Sequence, residues 1–241
     1  MLKITNLNMN ADVIPILEDI NLEINEGEIH AIMGPSCSGK TTLANSIAGN
    51  SNLSIAKGKL NFKRKVLNTL QPNERSKLGI FLSAQYPPEI SGSNNLQMMQ
   101  TILKLRDDKR ETTEVINSYK DLVKKFELGS EWTNREFNLA TSAGEKKKHE
   151  VVQMFMLNPS LIILDEIDVG LDLEGTKLVA SNINEFLKQK GKAAIVVTQD
   201  PKILEEIKPT HVHVMINGRI VKSGDKRIIK RIIQNGYPEF S

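Results

Sequence analysis

Gly34-Pro35-Ser36-Cys37-Ser38-Gly39-Lys40-Thr41 is the stretch of this sequence that decides its fold. It matches the pattern G-x-x-x-x-G-K-[ST], in which the backbone N–H groups of a loop cradle phosphates. The apolar run Ile29 to Met33 predicts a buried strand before the loop, and Thr42 to Ala48 predicts a helix after it. This order points the loop amides and the helix N-terminus at a triphosphate.

The side chains of the loop have separate predicted roles. Lys40 reaches the β/γ-phosphates, the Thr41 hydroxyl is a ligand for Mg²⁺, and Thr42 belongs to the same phosphate-binding set. The alternative is a chance glycine-rich turn, which is disfavoured because strand, loop and helix are all in place.

Composition excludes several classes of function. The chain has 241 residues and a net charge of +3, from 32 basic and 29 acidic side chains, which is too balanced to indicate a nucleic-acid binder. The basic runs Lys146–Lys148 and Lys226–Arg227 are expected on solvated helix faces. Cys37 is the single cysteine, so neither an intrachain disulfide nor a four-thiolate iron–sulfur cluster can form on this chain alone.

We expect neither a targeting segment nor a membrane segment in this chain. Its first residues lack a secretory signal, and no apolar run reaches the ~18–20 residues of a membrane span. We therefore expect no direct membrane insertion and a soluble protein of a reducing compartment, either the cytoplasm or the stroma of an organelle.

Hydrophobic patterns predict an α/β protein. Residues 94–131 and 144–157 have helical spacing, and the first of these segments is expected to be a helical insertion. Short strands are predicted at Leu2–Leu7, Ile16–Ile24, Gly58–Phe62, Ile80–Ala84, Leu161–Leu164, Ala193–Thr198 and His211–Ile216. The last three of these strands are expected to form a parallel sheet. Asn217-Gly218 is a hairpin turn signal leading to Arg219–Lys222.

Asp165 and Glu166 follow the four apolar residues Leu161 to Leu164. At the carboxyl end of a parallel strand, where ligands collect, Asp165 would hold Mg²⁺ and Glu166 would act as general base on the attacking water. The alternative is two acids at an ordinary strand end. Their position after a P-loop favours the second half of a nucleotide site.

The chain resembles an ABC-type ATPase in the order of five stretches: the P-loop, Gln85, Ser142-Ala143-Gly144-Glu145, Leu164-Asp165-Glu166 and Gly170-Leu171-Asp172. The resemblance implies a P-loop NTPase core with a mostly parallel sheet, an N-terminal antiparallel β part and an inserted helical subdomain. It implies one domain over residues 1–241, with a core lobe at about 1–90 and 158–241 and a helical subdomain at about 91–157.

The same resemblance assigns ligands and partners. ATP and Mg²⁺ are the implied cofactors, with Gln85 reaching toward the metal. Ser142, Ala143 and Gly144 form the signature loop, which closes on the ATP of a second subunit, and Asp172 lines the same interface. ATP-driven dimerisation of two ATPase subunits follows.

The resemblance narrows to the SufC family, the ABC ATPases of iron–sulfur cluster assembly. It is carried by Gln85-Tyr86-Pro87-Pro88-Glu89-Ile90, by Gly144-Glu145-Lys146-Lys147-Lys148 and by Gly218–Asp225. It implies SufB/SufD-like scaffold proteins as partners, bound around Gln85–Gly92. Two prolines make that segment stiff, with Tyr86 and Ile90 as exposed anchors.

Three positions depart from the family pattern. Gln199 stands where the family has the histidine that contacts the γ-phosphate, Ala143 replaces a glycine of the signature, and no aromatic side chain lies between Asn8 and Pro15 to stack on adenine. Gln199 keeps a hydrogen-bond donor but cannot carry charge. The four histidines His30, His149, His211 and His213 are expected to serve packing or surface roles.

Three functions remain open from the sequence. The leading hypothesis is an ATPase that drives conformational change of an iron–sulfur scaffold, slowed by Gln199 and Ala143. The alternatives are the ATPase subunit of a membrane transporter and a degenerate, very slow ATP-binding switch.

Overall fold

The fold is described from a computed structural model that covers residues 1–50 and 52–240. The strands are β1 (Leu2–Ala11), β2 (Ile14–Ile24), β3 (Ile29–Met33), β4 (Leu53–Phe62), β5 (Lys65–Val66), β6 (Ile80–Ser83), β7 (Ile90–Asn94), β8 (Glu136–Phe137), β9 (Leu161–Asp165), β10 (Ala193–Thr198), β11 (His211–Ile216) and β12 (Arg219–Gly224). The α-helices are α1 (Lys40–Ala48), α2 (Pro72–Lys77), α3 (Asn95–Leu105), α4 (Thr112–Lys125), α5 (Ala143–Leu157), α6 (Leu173–Leu187), α7 (Ile203–Glu206) and α8 (Arg227–Asn235).

The central sheet has six strands in the order β12-β11-β3-β10-β9-β6. Its strands pair in parallel except for β12, which joins β11 as an antiparallel hairpin. The middle strands β3, β9 and β10 are almost continuously apolar because both faces of the sheet are covered. Parallel pairing places the loop after β3, Glu166 after β9 and Gln199 after β10 at one edge of the sheet.

An antiparallel sheet in the order β2-β1-β4-β5 covers one side of α1. It shares one apolar core with α1 and with one face of the central sheet. Strand β4 begins at Leu53, five residues before the predicted start at Gly58, and residues 53–57 pair with β1. The mostly parallel core with an N-terminal antiparallel part confirms the predicted fold class.

The segment predicted as one helical insertion contains two helices and short strands. Helix α3 ends at Leu105, and α4 begins only at Thr112. Strands β7 and β8, which the sequence pattern did not indicate, pair with each other beside α3. The division into a core lobe and a helical subdomain stays a prediction. The predicted core lobe includes Ser51 and Ser241, which lie outside the described residues.

The second core lies on the other face of the central sheet and extends into the helices of residues 95–157. It joins Tyr119 and Trp132 to Val151 on α5 and to Ile162 on β9. One continuous core therefore fixes α5 relative to the strand ends of the central sheet. Within the described residues, no helix is both long and apolar enough to cross a membrane.

Candidate functional site

The P-loop lies between β3 and α1, as the sequence predicts for a strand and a helix at these positions. Gly39 has a φ of 100°, a conformation that L side chains rarely adopt, and it is the residue directly before α1. At Gly34 an added Cβ would lie 2.1 Å from the carbonyl oxygen of Met215. The two glycines thus allow the sharp turn and the close packing of the loop against β11.

Lys40 is folded back over its own loop. Its Nζ donates to the carbonyl oxygens of Gly34 at 2.9 Å and Pro35 at 2.7 Å. Burial lowers the pKa of Lys40, while the nearby carboxylates of Glu166 and Asp165 act in the opposite direction. The Lys40 ammonium therefore lies against the P-loop and is held by neutral carbonyls, which a phosphate group can replace.

Thr41 and Asp165 bring together a hydroxyl and a carboxylate. Thr41 Oγ1 donates to Asp165 Oδ1 at 3.3 Å, and burial raises the pKa of Asp165 to about 6. A buried carboxylate beside a hydroxyl is a donor set suited to a hard divalent ion, because Mg²⁺ prefers oxygen ligands and offsets the cost of carboxylate burial. These residues therefore fit Mg²⁺.

Glu166 is held between two glutamine amides. Gln85 Nε2 donates to Glu166 Oε2 at 2.5 Å, and Gln199 Nε2 donates to Glu166 Oε1 at 2.7 Å. Ser36 Oγ of the P-loop in turn donates to Gln199 Oε1 at 2.8 Å. This chain of hydrogen bonds connects β6, the end of β9, the end of β10 and the P-loop, and its donors to the Glu166 carboxylate are neutral amides.

These residues surround one cleft of about 440 Å³. Its lining comprises Ile16, Ser36, Cys37, Ser38, Gly39, Lys40, Thr41, Thr42, Gln85, Glu166 and Gln199. Asp165 borders it through its contact with Thr41. The sequence did not single out Ile16 as a cleft residue, because the expected contact with adenine was an aromatic side chain between Asn8 and Pro15. Ile16 is the apolar residue that follows directly.

The predicted signature residues lie outside this cleft. Ser142 caps α5 by accepting a hydrogen bond from the N–H of Glu145, and Ala143 is the first residue of that helix. Gly144 packs so closely on the loop after β9 that an added Cβ would lie 2.5 Å from the carbonyl oxygen of Gly170. Asp172 caps α6 through the N–H of Gly175 at 2.7 Å. Within one chain these four residues do not contribute to the nucleotide cleft.

The segment after Gln85 is exposed. Tyr86 is 81% and Ile90 38% accessible to solvent. Its other members are anchored: the carbonyl of Pro88 accepts from Asn138 Nδ2 at 3.0 Å, and Glu89 forms an ion pair with Lys146 of α5. The segment therefore offers an exposed aromatic side chain beside a backbone carbonyl held by Asn138 and an acid paired with α5.

One prediction about charge is wrong. Lys147, expected on a solvated face of α5, is only 1% exposed. Its Nζ donates to the carbonyls of Ala84 at 2.5 Å and Asp165 at 3.2 Å and lies 3.5 Å from Glu150. The carbonyls at the ends of β6 and β9 need donors where the ladder ends, and the long Lys147 side chain supplies them.

Comparison with known proteins agrees with this geometry. Residues 17–168 match the family model described as ABC transporter. The chain is 39% identical to the probable ATP-dependent transporter SufC of Escherichia coli K12, over 98% of this chain and 97% of the relative. It is equally identical to the probable ATP-dependent transporter ycf16 of Cyanophora paradoxa, over 98% and 93%.

The chain belongs to the ABC transporter family. It is an ATP-binding ABC ATPase, and the predicted resemblance to SufC is confirmed. A solved dimeric structure of the ATP-binding cassette MJ0796 with ADP and Pi has the same fold, with a TM-score of 0.81 over 93% of this chain and 98% of that one, at 23% identity.

Proposed function

We propose that this ABC ATPase hydrolyses ATP to drive conformational change of an iron–sulfur cluster assembly scaffold. The main support is the hydrogen bond between Gln85 and Glu166, the candidate general base. Gln85 is the residue directly before the exposed Tyr86. An event at the nucleotide and an event at a partner would then meet at a single side chain.

The residues of the cleft divide the work of hydrolysis. The P-loop amides of residues 34–42 and the Lys40 ammonium bind the phosphates, and Glu166 takes a proton from the attacking water. Gln85 and Gln199 orient the Glu166 carboxylate, and Ser36 orients Gln199. Thr41, Asp165 and Gln85 would hold Mg²⁺, which supplies positive charge to the phosphate oxygens when bound.

A second copy of the chain completes the site in this proposal. Ser142, Ala143 and Gly144 at the start of α5 and Asp172 at the start of α6 lie on neighbouring helix N-termini outside the cleft. Helix N-termini favour anions, so they suit the γ-phosphate held by the partner copy. ATP would thereby drive dimerisation, and the MJ0796 cassette was solved as a dimer.

The scaffold is the proposed partner because the Gln85–Gly92 segment resembles that of the SufC family. We place the protein in the cytoplasm or an organelle stroma, with no nucleic acid among its partners. The relatives' names describe probable transporters, which supports a second candidate, the ATPase subunit of a membrane transporter. The departures Gln199 and Ala143 support slow turnover, and in the extreme an ATP-dependent switch.

The test is affinity purification of the full chain from its native host, with the partner analysed for iron and acid-labile sulfide. The Tyr86→Ala variant should lose the partner while its ATP affinity stays within about threefold, roughly 0.7 kcal/mol. Ile233→Ala, an equally simple truncation of an exposed side chain elsewhere, should keep the partner.

Tyr86→Ala is preferable to a charge reversal at Glu89, which would face Lys146 and disturb α5. Recovery of an iron- and sulfide-bearing soluble partner, lost in Tyr86→Ala, is the expected result. Recovery of an integral membrane permease alone would replace the scaffold by the transporter function. Retention of the scaffold by Tyr86→Ala would place the docking site elsewhere.

A further inference from the structure

Three histidines gather at the edge of the central sheet opposite the nucleotide cleft. His30 lies near the start of β3, directly across from His211 on the parallel strand β11. Because side chains alternate along a strand, His211 and His213 point to the same face. The His30 ring stacks on both, with ring centroids 4.4 Å and 5.1 Å apart.

Glu28 adds a carboxylate to this cluster. Its Oε2 lies 3.0 Å from Nε2 of His30. One ligand atom from each of Glu28, His30 and His211 can be chosen so that all three lie within 4.8 Å of one another. Nothing in the proposed ATPase function uses these residues, which lie around the start of β3, at the opposite end of that strand from the P-loop.

We propose that Glu28, His30 and His211 form a binding site for a borderline divalent transition-metal ion such as Zn²⁺. Two imidazoles and one carboxylate suit Zn²⁺ and Fe²⁺, whereas Mg²⁺ prefers an all-oxygen set. Metal–ligand distances of about 2.0–2.2 Å require the longest separation to shorten by roughly 1 Å. His211 is exposed, so its ring can turn out of the stack with His30 to make that adjustment, while His30 is buried and hydrogen-bonded through both ring nitrogens.

The surroundings supply the second layer of hydrogen bonds that metal sites need. His30 Nδ1 lies 2.9 Å from His213 Nε2, and His213 Nδ1 lies 2.8 Å from Ser223 Oγ. His211 Nδ1 lies 3.0 Å from Thr210 Oγ1, so its Nε2 is the nitrogen available to a ligand. A ligating histidine ordinarily gives its other N–H to such a partner, which fixes the ring.

The hydrogen-bond chain can run in two directions. Without metal, His30 Nε2–H donates to the carboxylate of Glu28, and His30 Nδ1 accepts from His213. With a metal on Nε2, His30 carries its proton on Nδ1 and donates to His213, which donates to Ser223. Metal binding therefore switches the tautomer of His30 without changing its charge.

The experiment is calorimetric titration of the chelator-treated full chain with Zn²⁺, in excess Mg²⁺ to occupy the Thr41–Asp165 carboxylate. We expect one Zn²⁺ per chain. His211→Ala and Glu28→Gln should each weaken binding at least tenfold with ATP hydrolysis unchanged. Cys37→Ser controls for Zn²⁺ on the single thiol and should bind Zn²⁺ like the unmodified chain.

A second measurement separates a ligand from a structural residue. Long-range ¹H–¹⁵N spectra of the histidine rings should show the His30 proton moving from Nε2 to Nδ1 as Zn²⁺ is added. Absence of stoichiometric Zn²⁺ binding, unchanged affinity in both His211→Ala and Glu28→Gln, or loss of binding in Cys37→Ser alone would overturn the site.

Discussion

Two neighbouring regions of the molecule each contain a lysine and a glutamate, and they differ in the hydrogen-bond partners of those charges. In the cleft, Lys40 rests on carbonyls of its own loop, and Glu166 is held by two neutral amides. At the side of α5, Lys147 and Glu150 are both buried and lie 3.5 Å apart.

The partners of Glu150 complete the contrast. Ser83 Oγ donates to Glu150 Oε2 at 2.7 Å, and the N–H of Ala84 donates to Oε1 at 2.9 Å. Each of its oxygens thus has a fixed donor inside the protein. A charge satisfied in this way serves the structure, whereas a phosphate can replace the carbonyls under Lys40, and Glu166 is held by neutral amides that orient it.

The largest expected effect concerns the two glutamates. Glu166→Gln should lower the rate of ATP hydrolysis by roughly 10²–10⁴, the scale of losing a general base, while ATP binding is retained. The matched change Glu150→Gln should alter the rate less than tenfold. Steady-state hydrolysis and nucleotide titration measure both; equal rates for Glu166→Gln and the unmodified chain would remove Glu166 from the mechanism.

The two lysines should separate binding from stability. Lys40→Ala should weaken ATP binding and stop turnover with only a small change in the unfolding midpoint, because it removes a buried charge and the partly exposed Pro35 carbonyl can bind water instead. Lys147→Met should instead cost about 3 kcal/mol of stability, since it leaves Glu150 buried beside unpaired carbonyls. Thermal unfolding measures the stability of both variants, and ATP titration measures their nucleotide binding. If Lys147→Met is as stable as the parent, the buried Lys147–Glu150 pair has no structural role.

A smaller effect is expected at Gln199. Gln199→Ala removes its bonds to Glu166 and Ser36 and should lower turnover about tenfold, roughly 1.4 kcal/mol, which is the size of one lost hydrogen bond. Gln199→His should raise turnover above the parent, and Ala143→Gly added to it should raise turnover further. The exposed Gln189→Ala is the control. A Gln199→His enzyme no faster than the parent would mean that its neighbours have adapted to glutamine.

The sequence predicted one region far better than the other. The P-loop, Asp165 and Glu166 carry local signals, since motif spacing and the apolar strands before them specify position at the sheet edge. Lys147 in Lys146–Lys148 carries none, because a run of like charges looks solvated until tertiary packing brings two carbonyls to one of its members. The chain from Gln85 to Ser36 and the pairing of His30 with His211 likewise depend on strand order.

The smallest effect is a pH dependence that belongs to Glu150. Burial raises the pKa of Glu150 to about 7, against the opposing influence of Lys147 and of the hydrogen bonds from Ser83 and Ala84. The unfolded chain releases this proton near pH 4.5, so between about pH 4.5 and 7 the folded state binds more protons than the unfolded state. Stability from this group therefore falls as pH rises through that window.

Glu150→Gln has no proton to release, so its stability relative to the parent should increase between pH 5 and pH 8. A relative increase of about 1 kcal/mol would appear as roughly 2–4 °C in the difference between the two midpoints for a chain of this size. Every other titratable group is common to both proteins, so its contribution cancels in the difference. A difference that is flat between pH 5 and pH 8 would show that Glu150 stays ionised beside Lys147, and the α5 region would then hold a permanent ion pair.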